Sequence, residues 1–193
     1  MDEFKAIRAA YDRILPLPDA EWADFCRCLI QKRSDKGEFL IREGQIENHI
    51  HFLANGATRN YFINDGKEFT VDFHFKGDFV TAYYSFISRE PSEIFIELLE
   101  DAETLSIEYT ALQDFYRKSC LGERIGRLIA ESQYMKRLKK EMDFLSLTAE
   151  QRYLKLLDKN PTLVSRLSVK HLSSYLGVQP ESLSRIRKSS SRN

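Results

Sequence analysis

Between Lys36 and Tyr109 the apolar residues of this chain recur at every second position, the period of a half-buried β-strand. In the run from Phe69 to Phe75, the residues Phe69, Val71, Phe73 and Phe75 share one face, and Thr70, Asp72 and His74 share the other. Ile94, Ile96 and Leu98 alternate likewise, and so do Leu105, Ile107 and Tyr109. Five of the eight glycines (Gly37, Gly44, Gly56, Gly66 and Gly77) punctuate the stretch at intervals of 7, 12, 10 and 11. Short strands at regular spacing predict a β-sandwich or barrel. Asn64-Asp65-Gly66 predicts a hairpin, because these residues tolerate the positive φ of a tight turn.

On either side the period changes to that of a helix. Phe4, Ile7, Tyr11 and Ile14 predict a first helix, broken by Pro16 and Pro18. Asp19 is expected to cap a second, carrying Trp22, Phe25, Cys26 and Leu29. From Thr110 the pattern is helical for about 35 residues without proline. Leu121, Ile125, Leu128, Ser132, Met135 and Met142 follow steps of four and three, with Lys139 interrupting the seam and Ile129, Leu138 and Leu145 flanking it. Such a stripe suits a coiled-coil contact with a second copy of the chain. The alternative is a helix packed on its own β-domain. Thr148 and Gln151 predict a capping box for a further helix ending near Asn160-Pro161, and two short helices follow.

The net charge of zero hides an asymmetry. Residues 1–148 hold 20 Lys/Arg and 26 Asp/Glu, whereas residues 149–193 hold nine basic residues and three acidic ones. The basic nine are Arg152, Lys155, Lys159, Arg166, Lys170, Arg185, Arg187, Lys188 and Arg192. An acidic body with a basic tail points to a polyanionic partner at the C-terminus. No apolar run approaches the roughly 18 residues that span a bilayer, and the first residues carry no apolar signal core. No membrane association is expected, and a cytoplasmic location is. Three cysteines, Cys26, Cys28 and Cys120, are too few and too oddly spaced for a disulfide framework. They read as ordinary thiols.

The most informative segment is the last. Ser168 is placed to cap a helix with Val169, Leu172 and Leu176 facing inward. Gly177 supplies a left-handed C-terminal residue, Val178 fills the corner, and Pro180 sits in the first turn of the next helix, where no amide is lost. Leu183 and Ile186 then face inward. That leaves Gln179, Glu181, Ser182, Ser184, Arg185, Arg187 and Lys188 outward. This is a helix-turn-helix pattern whose second helix presents hydrogen-bonding and basic side chains, as reading of a major groove requires. A generic helical hairpin is the alternative.

Taken together, the chain from about Ala20 to Lys188 resembles the Crp/Fnr family of bacterial regulators, the cyclic-AMP receptor protein and its relatives. The β-roll signature appears as KGEFLIREG at 36–44, FLANG at 52–56 and FKGDF at 75–79, and LGVQPESLSRIR at 176–187 resembles the recognition-helix motif. The resemblance implies that Glu181 and Arg185 read bases, Arg bidentate to guanine and Glu accepting from cytosine. It implies that Ser182 touches a phosphate, with Lys170, Arg187 and Lys188 as further phosphate candidates. Pro180 stands where the family often has arginine, which removes one base contact. With 16 residues after Gly177, a C-terminal wing is expected to be truncated or absent. Cyclic-nucleotide binders of the family carry a Gly-Glu pair and an Arg-Ser pair around the ligand. Here those positions are Thr81-Ala82 and Ser92-Glu93, and the loss of the arginine disfavours a bound phosphate. No binding of cyclic AMP is expected. Phe79, Thr81, Ala82, Tyr83, Tyr84, Ser92 and Glu93 are the candidate pocket for some other small molecule.

Rival readings are a cupin-like metal enzyme and a dimeric regulator without DNA binding. The first rests on His49-Ile50-His51, which lacks the carboxylate a cupin needs a few residues later. Too few cysteines are present for an iron–sulfur cluster, and no phosphate loop or nucleophile elbow appears.

The expectation is therefore an α+β chain that is not an enzyme. It comprises an antiparallel β-roll with flanking helices (1–109), a long dimerisation helix (110–146) and an all-α helix-turn-helix domain (147–193). Expected partners are double-stranded DNA, a second copy of the chain, RNA polymerase and an unidentified effector, with no cofactor and no metal.

Overall fold

The computed structural model describes residues 2–159 and 161–190. Asn160, expected at a helix end, and the basic residue Arg192 lie outside the described residues. The chain divides into two compact units, Met1–Phe62 with Asp72–Ser132, and Ile63–Val71 with Gln133–Asn193.

The first unit opens with α1 (Asp2–Asp12) and α2 (Asp19–Arg27). The strands follow: β1 (Leu29–Ser34), β2 (Phe39–Ile41), β3 (His49–Asn55), β4 (Ala57–Asn64), β5 (Lys67–Phe75) and β6 (Phe79–Val80). A short α3 (Tyr83–Ser88) precedes β7 (Phe95–Leu98) and β8 (Ala102–Glu108), and α4 (Tyr109–Lys118) leads into α5 (Cys120–Ser146). The strands form two four-stranded antiparallel sheets, ordered β1-β8-β3-β6 and β2-β7-β4-β5. This is the antiparallel β-roll expected. The period of two explains its layers. Along β3, Phe52 and Ala54 join Leu105 and Ile107 of β8 in a core shared with Ile7, Tyr11, Phe25, Leu112, Phe115 and Ile125 from the helices. Leu53 points the opposite way, into the space between the sheets, with Ile41, Val80, Ala82 and Ile96.

The predicted hairpin is present between β4 and β5. Asp65 and Gly66 both have positive φ, 49° and 71°, the signature of a type I′ turn. The alternation in β5 is less clean than the sequence suggests, for Phe69 is 40% exposed while Thr70 is buried. Pro18, not Asp19, is the N-cap of α2, and no side chain caps that end. Proline pre-sets φ just before the helix, and Asp19 becomes its first residue.

The long helical run is broken once, at Ser119, whose φ and ψ of −130° and 103° are extended. The Ser119 hydroxyl accepts the Gly122 amide at 2.8 Å and so caps α5. Past the break, α4 and α5 approach closely because Gly122 and Gly126 lack side chains. A Cβ at either would lie 2.3 Å from the Phe115 ring or 2.2 Å from the Tyr116 hydroxyl.

In the second unit, α6 (Ala149–Lys159), α7 (Pro161–Arg166), α8 (Val169–Leu176) and α9 (Pro180–Ser190) follow the end of α5. The capping box forms as predicted: Thr148 N–H donates to Gln151 Oε1 at 2.9 Å and Gln151 N–H to Thr148 Oγ1 at 3.2 Å. Tyr153, Val164, Leu172, Leu176 and Leu183 of these helices, with Leu167 just after α7, are buried. Among the described residues no helix is long and apolar enough to cross a membrane.

Candidate nucleic-acid interface and ligand pocket

The pair α8–α9 is built by local signals. Ser168 Oγ accepts the His171 amide at 3.1 Å and so starts α8. Gly177, at φ +67°, ends it, and the amides of Gly177 and Val178 close on Ser174 O and Ser173 O at 3.2 and 3.0 Å. A Cβ at position 177 would also lie 3.1 Å from the Phe144 ring. Pro180 is the first residue of α9, as expected. Leu172, Leu176 and Leu183 have 2% exposure or less and clamp the two helices together. Val169, expected inward, is instead 37% exposed. It occupies the open first position of a two-turn helix.

On the outer face of α9, Glu181, Ser184, Arg185 and Lys188 are exposed, with Gln179 just before them. The Arg185 guanidinium reaches Ser182 Oγ at 3.4 Å. The Ser184 hydroxyl donates to Pro180 O at 3.1 Å. Ser182 and Arg187, expected to be outward, are half-buried, and the Arg187 Nε has no hydrogen-bond partner among the described residues. Their helical positions fall at the margin between inner and outer faces. Lys170, on α8, is paired with Glu68 at 3.1 Å.

Arg152 of α6 ties the helices together. It donates to Phe144 O at 3.2 Å, Leu147 O at 2.6 Å and Leu176 O at 2.8 Å, and lies 4.5 Å from the centroid of the Phe144 ring. Lys155 adds an ion pair to Asp143 at 2.5 Å.

The candidate pocket is not assembled as expected. Phe79 packs tilted against Phe52 and edge-to-face against Tyr11, with centroids 5.3 and 5.7 Å apart, and belongs to the helix-side core. Tyr83 and Tyr84 are 53% and 67% exposed. They open a helix on the surface of the roll, and Tyr84 bonds Glu90 at 2.7 Å. Glu93 is exposed. Thr81, Ala82 and Ser92 do turn inward, but their polar atoms are engaged. Thr81 Oγ1 donates to His49 O at 2.8 Å, Ser92 Oγ donates to Ile94 O at 2.9 Å, and the Ala82 amide faces Glu47 Oε2 at 3.4 Å.

Two buried polar residues here, Glu47 and Arg59, escaped the sequence reading, and His51, read there as half of a metal pair, is a third buried polar group. Glu47, 2% exposed, accepts the His49 amide at 2.9 Å, and burial pushes its carboxyl above the usual range. His51 Nδ1 lies 2.7 Å from Ser106 Oγ, and burial lowers its pKa to about 3, so the ring is neutral. Arg59 is 1% exposed, its guanidinium 4.3 Å from the Tyr61 ring centroid and 4.0 Å from Glu97. The one signal for Arg59 was that Thr58-Arg59-Asn60 interrupts a strand with polar residues on both faces. His49 and His51 do face each other, with ring centroids 5.7 Å apart. Yet among the described residues no group of three or more His, Cys, Asp or Glu side chains is placed to hold a metal. The three cysteines are free thiols, Cys26 and Cys28 half-buried and Cys120 exposed.

The candidate dimer stripe on α5 divides along its length. Ile125 has no exposed surface and lies in the core of its own unit, with Leu121 packed beside it. Ile125 is thereby removed from any face open to a partner, because the roll-side core claims the first turns of the helix. Leu128 is half-buried. Beyond it Ser132, Met135 and Met142 are exposed, the methionines at 62% and 61%.

A family model for the cyclic nucleotide-binding domain matches residues 31–119. None of the curated protein sequences matches the chain. Among solved structures, the c-di-GMP-responsive global regulator CLP of Xanthomonas campestris is similar at a TM-score of 0.68 and 19% identity, over 91% of this chain and 92% of that one. FixK2 from Bradyrhizobium japonicum is similar at 0.68 and 19% identity, over 83% of each chain. A Crp/Fnr-family protein from Eubacterium rectale is similar at 0.69 and 17% identity, over 88% and 82%. Residues 31–119 thus form a cyclic nucleotide-binding-type domain, and the chain has the fold seen in the Crp/Fnr regulators.

Proposed function

We propose that this chain is a homodimeric, cytoplasmic transcription regulator that binds double-stranded DNA through α9 and answers a signal other than cyclic AMP. The observation that carries the reading is the outer face of α9. A rigidly braced two-helix unit presents Gln179, Glu181 and Arg185 to solvent with almost no internal commitment. Side chains at the N-terminal end of such a helix reach base edges, and Lys170, Lys188 and Arg187 beside them hold phosphates.

Pairing is assigned to the exposed half of α5. Met135, Leu138, Met142 and Leu145 recur at steps of three, four and three, with exposures of 62%, 38%, 61% and 80%. That is a heptad seam waiting for an equivalent partner, and Leu138 rather than Lys139 fills it. A two-fold pair of such helices sets two α9 helices about 34 Å apart, one turn of DNA. RNA polymerase is the natural further partner of such a dimer on a promoter.

A signal other than cyclic AMP is supported by the roll. Thr81-Ala82 and Ser92-Glu93 replace the nucleotide-gripping pairs, and the Glu47 carboxylate faces the Ala82 amide just before α3. A phosphate brought there would meet that carboxylate. CLP, which shares the fold, is responsive to c-di-GMP, so an effector of another chemistry is compatible with this architecture.

The test is binding of native protein and of Arg185→Ala to duplexes selected by genome-wide footprinting. The variant should lose roughly 1–3 kcal/mol and relax preference at one base pair per half-site. Wild-type affinity should fall steeply with salt. Unchanged affinity and unchanged preference in the variant would defeat the assignment.

A further inference from the structure

The tip of the β4–β5 hairpin, Ile63–Val71, groups with the α6–α9 helices in one compact unit. Ser174 of α8 holds it at two points with one hydroxyl. Ser174 Oγ donates to Glu68 O at 2.9 Å and accepts the Thr70 amide at 2.9 Å. Lys140 of α5 donates to Val71 O and lies 4.0 Å from the centroid of the Tyr175 ring. One turn earlier on α8, the Lys170 ammonium pairs with the Glu68 carboxylate at 3.1 Å. Hydrogen bonds therefore set the hairpin in place, and the ion pair from Glu68 to α8 falls on a cation proposed above to meet a DNA phosphate.

We infer that the hairpin tip is an autoinhibitory cover, with Glu68 standing in for phosphate on Lys170 until DNA displaces it. The inference rests on the DNA-binding reading of α8–α9. A carboxylate and a phosphate oxygen compete for the same ammonium, and both cannot approach it without mutual repulsion. The pair is partly exposed, 69% on the lysine side and 30% on the glutamate side. It is therefore weak enough to be exchanged, and the cover sets a threshold for binding instead of a block. The Ser174 bonds involve the Glu68 main chain and survive that exchange.

Glu68→Gln separates these roles, since it removes the anion and leaves the backbone bonds. It should tighten duplex binding about three- to fivefold at moderate salt and steepen the slope of log K against log salt by about one. In a Lys170→Ala background the same substitution should have no effect. Asp65→Asn removes one charge from the same tip away from Lys170 and should change affinity less than about 1.5-fold. Hydrogen exchange of the Thr70 amide should quicken in Ser174→Ala.

The cover is overturned by any of four results with a wild type that binds: no gain in Glu68→Gln, an equal gain in Asp65→Asn, a gain that persists without Lys170, or Thr70 exchange indifferent to Ser174. Those leave the DNA-binding reading intact. A wild type and a Glu68→Gln variant that both ignore duplexes at low salt overturn the two readings together.

Discussion

Inside the roll, Thr81 spends its hydroxyl on His49 O, Ser92 on Ile94 O, and His51 sits against Ser106. At the start of α9 and along it, Gln179, Glu181 and Arg185 stand in solvent, and their side-chain bond among the described residues is the 3.4 Å reach of Arg185 to Ser182. The contrast separates two ways a polar residue in a suggestive position can be used. A buried polar group must find a partner within the fold or cost stability, and these three side chains have found theirs among the strands and the approach to α3. An exposed one owes the fold nothing and is open to a partner. The same residue types at sequence level thus carry different weight as site candidates.

The largest test of this contrast is acid. His51 is neutral in the fold, with a pKa near 3 against about 6.5 unfolded. A depressed folded pKa contributes stability that is complete above the unfolded value and is lost as pH falls from about 6.5 toward 3. The full loss is on the order of 5 kcal/mol. Between pH 6.5 and 5, where carboxylates stay mostly ionised, urea midpoints should fall for the wild type and stay flatter for His51→Gln. Equal slopes would mean that the ring is not held neutral. A smaller effect is expected at Thr81→Val, about 1 kcal/mol of stability for the lost bond to His49 O, read from the same urea curves. A variant of native stability would return Thr81 to the list of groups available to a ligand. The smallest stability effect belongs to Glu181→Ala, within about 0.5 kcal/mol of wild type, although base preference at one position per half-site should relax. A stability loss above about 1 kcal/mol would show that the outer face of α9 is part of the fold after all.

What the sequence made legible was set locally. The Asp65-Gly66 turn, the Thr148–Gln151 box, the Ser168 cap, Gly177 and Pro180 all act within four residues of themselves, and each is found where the spacing placed it. The β-roll was legible because one period of two recurs over a long stretch. The errors lie where the answer depends on distant chain. The stripe through Ile125 and Met142 has one period, but its first turns are claimed by Phe115 and the roll-side core and its last turns by nothing in the described chain. Phe79, Tyr83 and Tyr84 are near Thr81 in sequence but point to three different surroundings, because β6 ends and α3 begins between them. Arg59 left only the trace of polar residues on both faces, because a strand buried on both faces has no alternation to read.

Arg152 has a mechanical consequence. One planar cation grips the last carbonyls of α5 and the last carbonyl of α8 at once, and Gly177 seats the following turn against the ring of Phe144. Such a joint couples torsion. Rotating the final turns of α5 about their axis carries α9 with them as a crank turns its handle, so on the DNA-binding proposal a twist of that shaft alone re-aims Glu181 and Arg185.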